Sequence, residues 1–195
     1  MSHRTTLIAA VAALSLASTA PAFAVSAFYD FESQTPGAAT PLSITNNGLT
    51  ATFSSPSDPG FYSVGNTGGL FAGLTGQDLS YSGYSPDALV ISFSAPIGAL
   101  SFNFGLLDIF GIGGNDTLTL TTNTGGATTA TARVVSGYAY PEGFLSYTGP
   151  SFTTATLTSA YDIAIDNVSV PEPATLGMLG VGLAGLLASR RRRAA

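Results

Sequence analysis

The chain has 195 residues, a formal net charge of −5, no cysteine, no tryptophan and one histidine, His3. Five of its six basic residues, Arg4, Arg190, Arg191, Arg192 and Arg193, lie near the two ends, so the stretch 25–170 carries ten acids against Arg133 alone. That balance argues against nucleic acid as a partner, and the lack of His, Cys and Lys removes Ser-His and Cys-His nucleophiles, Schiff bases and zinc sites, leaving carboxylate chemistry, solubility and divalent cations.

The first segment reads as an export signal. Arg4, an apolar run from Leu7 to Ala17, Pro21 and the small-residue site Ala22-Phe23-Ala24 make up a secretory signal peptide over 1–24. Signal peptidase is expected to recognise Ala22 and Ala24 and to cut before Val25, with Ala27 a second option. An exported chain without disulfides must hold its fold by its core alone, and 25–170 is long enough for one such domain.

That domain shows no long helical periodicity. Short alternating runs, separated by Gly, Ser, Asn and Pro, predict an all-β, antiparallel, jelly-roll-like β-sandwich of roughly nine strands. AFYDFE, Ala27 to Glu32, reads as the first strand, with Tyr29 and Phe31 on one face and Asp30 and Glu32 on the other. Asn47-Gly48 marks a hairpin turn before the alternation Leu49, Ala51, Phe53. Residues 54–86 are a long Gly/Ser/Asp region with room for short strands around Phe61-Tyr62 and 69–73. Residues 88–108 read as the clearest hairpin: Leu89, Ile91 and Phe93, a turn at Pro96-Ile97-Gly98, then Leu100, Phe102 and Phe104. Residues 116–122 place Leu118 and Leu120 inward, and 131–140, 143–148 and 152–158 give three more strands. The Thr-rich segment 121–133 reads as an exposed hairpin with acceptor hydroxyls for O-linked sugar. Residues 160–170 close the domain, with Ile163 and Ile165 on one face.

Asp30 and Glu32 on the first strand match Asp162 and Asp166 on the last in parity. Terminal strands of a sandwich are often neighbours, and four carboxylates meeting there would repel unless a hard cation lay between them. Calcium, which takes six to eight oxygens, suits such a set. The arrangement resembles jelly-roll carbohydrate-binding modules, in which acids near the first strand and an Ile-Asp-Asn-like last strand imply a shared structural calcium. The plainer alternative is solvated faces, with Asp166-Asn167 fixing a local bulge.

Other motifs weaken on inspection. Gly111 to Leu118 resembles one imperfect copy of a calcium-binding nonapeptide repeat, which works only in stacks, so a Gly-Asn turn is expected. Gly65 to Gly69 lacks the Lys and the helix of a phosphate loop. Glu32 and Glu142 would supply a glycosidase acid pair. Tyr62, Tyr81, Tyr84, Tyr138, Tyr140 and Tyr147 would stack on sugars or, more simply, pack the strands.

The last segment is Pro171 to Ala195. Its uncharged run Ala174 to Ala188 predicts a helix over about 174–189, roughly 22 Å long against a hydrocarbon core of about 30 Å. The basic cluster Arg190, Arg191, Arg192 and Arg193 would stop it at the cytoplasmic headgroups, leaving the domain outside. Pro171-Glu172-Pro173, a short glycine-bearing apolar stretch and a basic cluster resemble the PEP-CTERM sorting signal. That resemblance implies recognition of the triplet by exosortase of a Gram-negative bacterium. It also implies transient residence in the inner membrane and delivery to the cell surface or its exopolysaccharide matrix. The sequence therefore reads as a non-catalytic sandwich sorted to the surface. Its alternatives are a carbohydrate-binding module with a structural calcium and, third, a carboxylate glycosidase.

Overall fold

The structure, a computed structural model, describes residues 26–57, 60–81, 87–107 and 116–171. The signal segment 1–24 with Ala22 and Ala24 lies outside them, as do Tyr84 and Gly111 to Asn115. So do Glu172 and Pro173 of the sorting triplet, the expected helix 174–189 and the basic cluster Arg190, Arg191, Arg192 and Arg193.

The described residues form strands and loops without helix. The strands are β1 (Ala27–Tyr29), β2 (Leu42–Asn46), β3 (Leu49–Ser54), β4 (Tyr62–Gly65), β5 (Asp78–Tyr81) and β6 (Leu89–Leu107). They continue with β7 (Thr117–Thr122), β8 (Ala127–Thr131), β9 (Arg133–Val134), β10 (Pro141–Thr158) and β11 (Asp162–Val170). Every pairing between these strands is antiparallel, as the alternating patterns predicted.

Two long strands organise the sandwich. The first half of β6 lies between β3 and the second half of β10, and β2, β7 and β8 extend that layer. The second half of β6 lies between β11 and the first half of β10, and β4, β5 and β9 extend the other. The terminal strands are neighbours, as expected: β1 pairs with the end of β11, Ala27 opposite Val170 and Tyr29 opposite Val168. Residues from both layers, among them Phe53, Leu120 and Leu157 on one side and Phe102, Phe104 and Ile165 on the other, share one buried core. Edge-to-face ring contacts, Phe31 with Phe53 at 5.1 Å and Tyr147 with Phe152 at 5.4 Å, lock its aromatic part.

The expected hairpin over 88–108 is not formed. Leu89–Leu107 is one 19-residue strand, and Pro96 to Gly98 lie inside it. Residues 143–148 and 152–158 likewise join in the 18-residue β10. The turn residues instead mark register shifts between Thr148 and Thr154, where the β6–β10 ribbon slips its pairing between the two layers. The Asn47-Gly48 turn holds: both residues have positive φ, 48° and 80°, and β2 and β3 flank them. The first strand is shorter than expected. It ends at Tyr29, and Phe31 adopts φ 59° while its ring stays in the core.

Candidate functional site

The outer face of the second layer is assembled from alternate residues of β5, β11, β6 and β10. Ser80, Ala164, Gly105 and Glu142 form one cross-strand row; Asp166, Asn103 and Phe144 form another across β11, β6 and β10. The loop 66–77 lies over the first of these rows. Phe71 and Leu74 of the loop pack on Ala164, and Tyr140 stacks near Phe71 with ring centres 6.0 Å apart. A side chain at Gly105 would overlap the Phe71 ring, so glycine lets the loop sit down on the sheet.

Polar side chains then fasten the loop through its backbone. Asp78 Oδ2 accepts hydrogen bonds from the Thr67 amide at 2.8 Å and from the Thr67 hydroxyl. Glu142 Oε2 accepts the Gly73 amide at 3.0 Å, while Asn103 donates to the Gly73 carbonyl at 3.1 Å. Asp166 Oδ2 accepts the Thr75 amide at 3.4 Å. Glu32 Oε1 accepts the Gln77 amide at 2.9 Å, and the Gln77 side chain donates to the Glu32 carbonyl at 2.8 Å. Four acids therefore serve as backbone acceptors along one loop. Such charge-assisted bonds are stronger than neutral ones.

Electrostatics at Asp166 follow from this crowding. The residue is 1 % exposed. Burial pushes its carboxyl up to about 6; bonds from the Asn167 and Thr75 amides pull it down, and the charges of Asp78 and Glu32 push it up further. Asp78 is equally buried, and among the described residues its Oδ1 has no hydrogen-bond partner.

The four expected calcium ligands are not gathered at one point. Glu32 and Asp166 are close enough to feel each other's charge. Asp30 lies beside Glu32, accepting its amide at 3.3 Å, and both border a cleft of about 320 Å³ with Phe28, Gln34 and Asn46. Asp162 stands apart, because four residues of extended strand separate it from Asp166 by about 13 Å. It lies opposite Leu107, where burial pushes its carboxyl up. Among the described residues no three acidic side chains come close enough to hold a metal ion together. The expected bulge at Asp166-Asn167 is present. Asn167 has φ 56°, the β6 pairing slips there, and Val168 and Val170 return to the core in shifted parity.

The other candidates separate cleanly. Tyr62, Tyr81 and Tyr147 are core residues, leaving Tyr138 exposed and Tyr140 under the loop. Glu32 and Glu142 are both engaged by loop amides. The threonine hairpin expected over 121–133 begins earlier, since the strand β7 (Thr117–Thr122) is its first arm and β8 (Ala127–Thr131) its second. Sequence reasoning missed Asp78, Asn103 and Gly105. Asn103 and Gly105 were visible as small or polar breaks between Phe102, Phe104 and Leu106, the mark of a strand whose second face is also covered.

A family model described as the PEP-CTERM protein-sorting motif matches residues 169–193, a span that takes in the Pro171-Glu172-Pro173 triplet and all four arginines from Arg190 through Arg191 and Arg192 to Arg193. No curated protein matches the chain. Among solved structures, the K2 cleaved adhesin domain of Lys-gingipain is similar at 13% identity and TM-score 0.49, over 75% of this chain and 99% of that one. A family 6 carbohydrate-binding module is similar at 14% identity and TM-score 0.37, over 62% and 87%. The CBM22-1 xylan-binding domain of Paenibacillus barcinonensis Xyn10C is similar at 13% identity and TM-score 0.34, over 76% and 92%. The family match begins at Ser169, inside β11, and Val170 ends that strand buried in the core. The chain is thus an all-β protein whose last strand leads directly into a PEP-CTERM protein-sorting motif, a signal that implies processing by exosortase and sorting to the surface.

Proposed function

We propose that this protein is exported, held briefly in the inner membrane by its C-terminal segment and released by exosortase to the cell surface or exopolysaccharide matrix. There its sandwich acts without catalysis. The sorting motif over 169–193 carries this reading. The fold supports it physically. Among the described residues the core cluster runs from Ala27 to Val170, and Val170 is tied to Ala27 across β1 and β11, so the described core closes before the Pro-Glu-Pro triplet. The non-catalytic reading is supported by Glu32, Asp78, Glu142 and Asp166, each of which has one carboxylate oxygen engaged by a loop amide. The experiment is fractionation of cells making the Glu172→Ala variant. It should accumulate in the membrane fraction while the parent chain reaches the surface. Equal release of both would contradict the reading.

A calcium-bound carbohydrate-binding module is the second reading. The observation in its favour is that the charges of Asp78 and Glu32 both reach the Asp166 carboxyl and push it up, and that Asp78 has a buried oxygen without a partner among the described residues. A calcium ion there would take Glu32 and Asp166 as carboxylate ligands and complete its shell with carbonyl oxygens of the loop. Melting in calcium and in chelator tests it; equal midpoints reject it.

A further inference from the structure

We infer that the half of the outer sheet face beyond loop 66–77 is a binding platform for a neutral polysaccharide chain, with Phe28 and Phe144 as its stacking residues. This deepens the surface-matrix reading by naming the matrix component the sandwich would hold.

The platform is read directly from strand register. Phe28 on β1 lies opposite Ser169 on β11, Ser169 opposite Ser101 on β6, and Ser101 opposite Ser146 on β10. Two residues along, Asn103 on β6 lies opposite Phe144 on β10. All six point away from the core, because their neighbours Tyr29, Val168, Leu100, Phe102, Leu145 and Tyr147 point into it. Phe28 is 46 % exposed and Phe144 61 %. Three strand spacings and a two-residue offset place the two rings about 16 Å apart.

The polar row between them has capacity in hand. Among the described residues the hydroxyls of Ser101, Ser146 and Ser169 make no hydrogen bond, and Asn103 uses its amide nitrogen while its oxygen accepts none. Two flat apolar rings separated by hydroxyls and an amide match a pyranose chain, which presents C–H faces and equatorial hydroxyls. The rings offer their electron-rich faces to the C–H groups, and the small polar side chains exchange hydrogen bonds with the hydroxyls. Charge selects the polymer. With ten acids against one base in 25–170, the surface repels uronate and phosphate polymers and leaves neutral ones. The loop 66–77 bounds the platform on one side, since Asn103 and Asp166 both hold it.

The test is affinity electrophoresis of the purified full chain in non-ionic detergent. Native gels would contain hydroxyethyl cellulose, galactomannan or mixed-linkage β-glucan, with alginate as the anionic control. Retardation is expected in at least one neutral gel and not in alginate. Phe28→Ala and Phe144→Ala should each weaken it roughly tenfold, and Phe144→Trp should preserve it. All three variants should melt with the parent, since both rings face solvent. No retardation by any neutral polymer, equal retardation by alginate, or retention in the double alanine variant would overturn the inference. So would a dimer that depends on Phe144 without polymer binding. Each of these outcomes leaves the sorting reading standing, because that is decided by release from the membrane.

Discussion

The two halves of the outer sheet face use similar residue types for opposite ends. Over Ala164 and Gly105 the chain lays down loop 66–77, seats Phe71 on the glycine and fixes the loop with carboxylates. Loop 66–77 does not extend its fastening to Ser101 and Ser169, and the aromatics at the margins, Phe28 and Phe144, face solvent. An acid under the loop acts as a positioning group, and at Asp166 burial also raises the carboxyl. A serine on the open half keeps its hydrogen-bonding capacity for something outside the molecule. The difference shows that four of the ten acids noticed in the sequence, Glu32, Asp78, Glu142 and Asp166, serve to fasten one loop.

That contrast can be broken from the covered side. Phe71→Ala should cost about 3 kcal/mol, the lower end for a buried phenylalanine. The urea midpoint reads this, and protease should cut within 66–77 in the variant. An unchanged midpoint would mean that the loop is not seated on Gly105. Asp78→Ala comes next. It strands the Thr67 amide and should cost about 1–2 kcal/mol, with the same protease-sensitive loop.

Acidity sharpens the contrast further. The Asp166 carboxyl is raised from 3.8 to about 6, so the folded state holds a proton that the unfolded state has released between those values. Stability from this group is therefore greatest when it is protonated, falls as pH rises from about 4 to about 6, and is flat above. Melting across that window in chelator should show the slope, and Asp166→Asn should flatten it. A slope that survives the substitution would assign it to another carboxylate. The smallest effect is expected on the open half, where Phe144→Ala should change stability by no more than about 0.5 kcal/mol. A larger loss would show that Phe144 is packed rather than presented.

What the sequence revealed and what it hid both have physical causes. The Asn47-Gly48 turn is legible because a two-residue hairpin is decided by its own backbone angles. The inward sets Leu118 and Leu120, and Ile163 and Ile165, are legible because strand parity is local. β6 and β10 each read as two strands in the sequence. Pro96, Gly98, Gly149 and Pro150 look like turn residues, and a partner strand that runs past the irregularity is a long-range fact. β5 escapes notice because four residues, Asp78 to Tyr81, show too little alternation to stand out. The approach of Glu32 to Asp166 follows from pairing the terminal strands. The exclusion of Asp162 requires counting rise along β11, and the role of Asp78 requires the loop.

The central claim is that the sandwich is a complete unit delivered by a removable tail. The most direct measurement is the intact mass of the mature protein recovered from cells with and without exosortase. The account predicts that, with the enzyme present, the mass lacks both 1–24 and the segment beyond the Pro-Glu-Pro triplet, and that the tail persists without the enzyme. A mature mass that includes Arg190, Arg191, Arg192 and Arg193 in the presence of exosortase would contradict it and make the segment a permanent anchor.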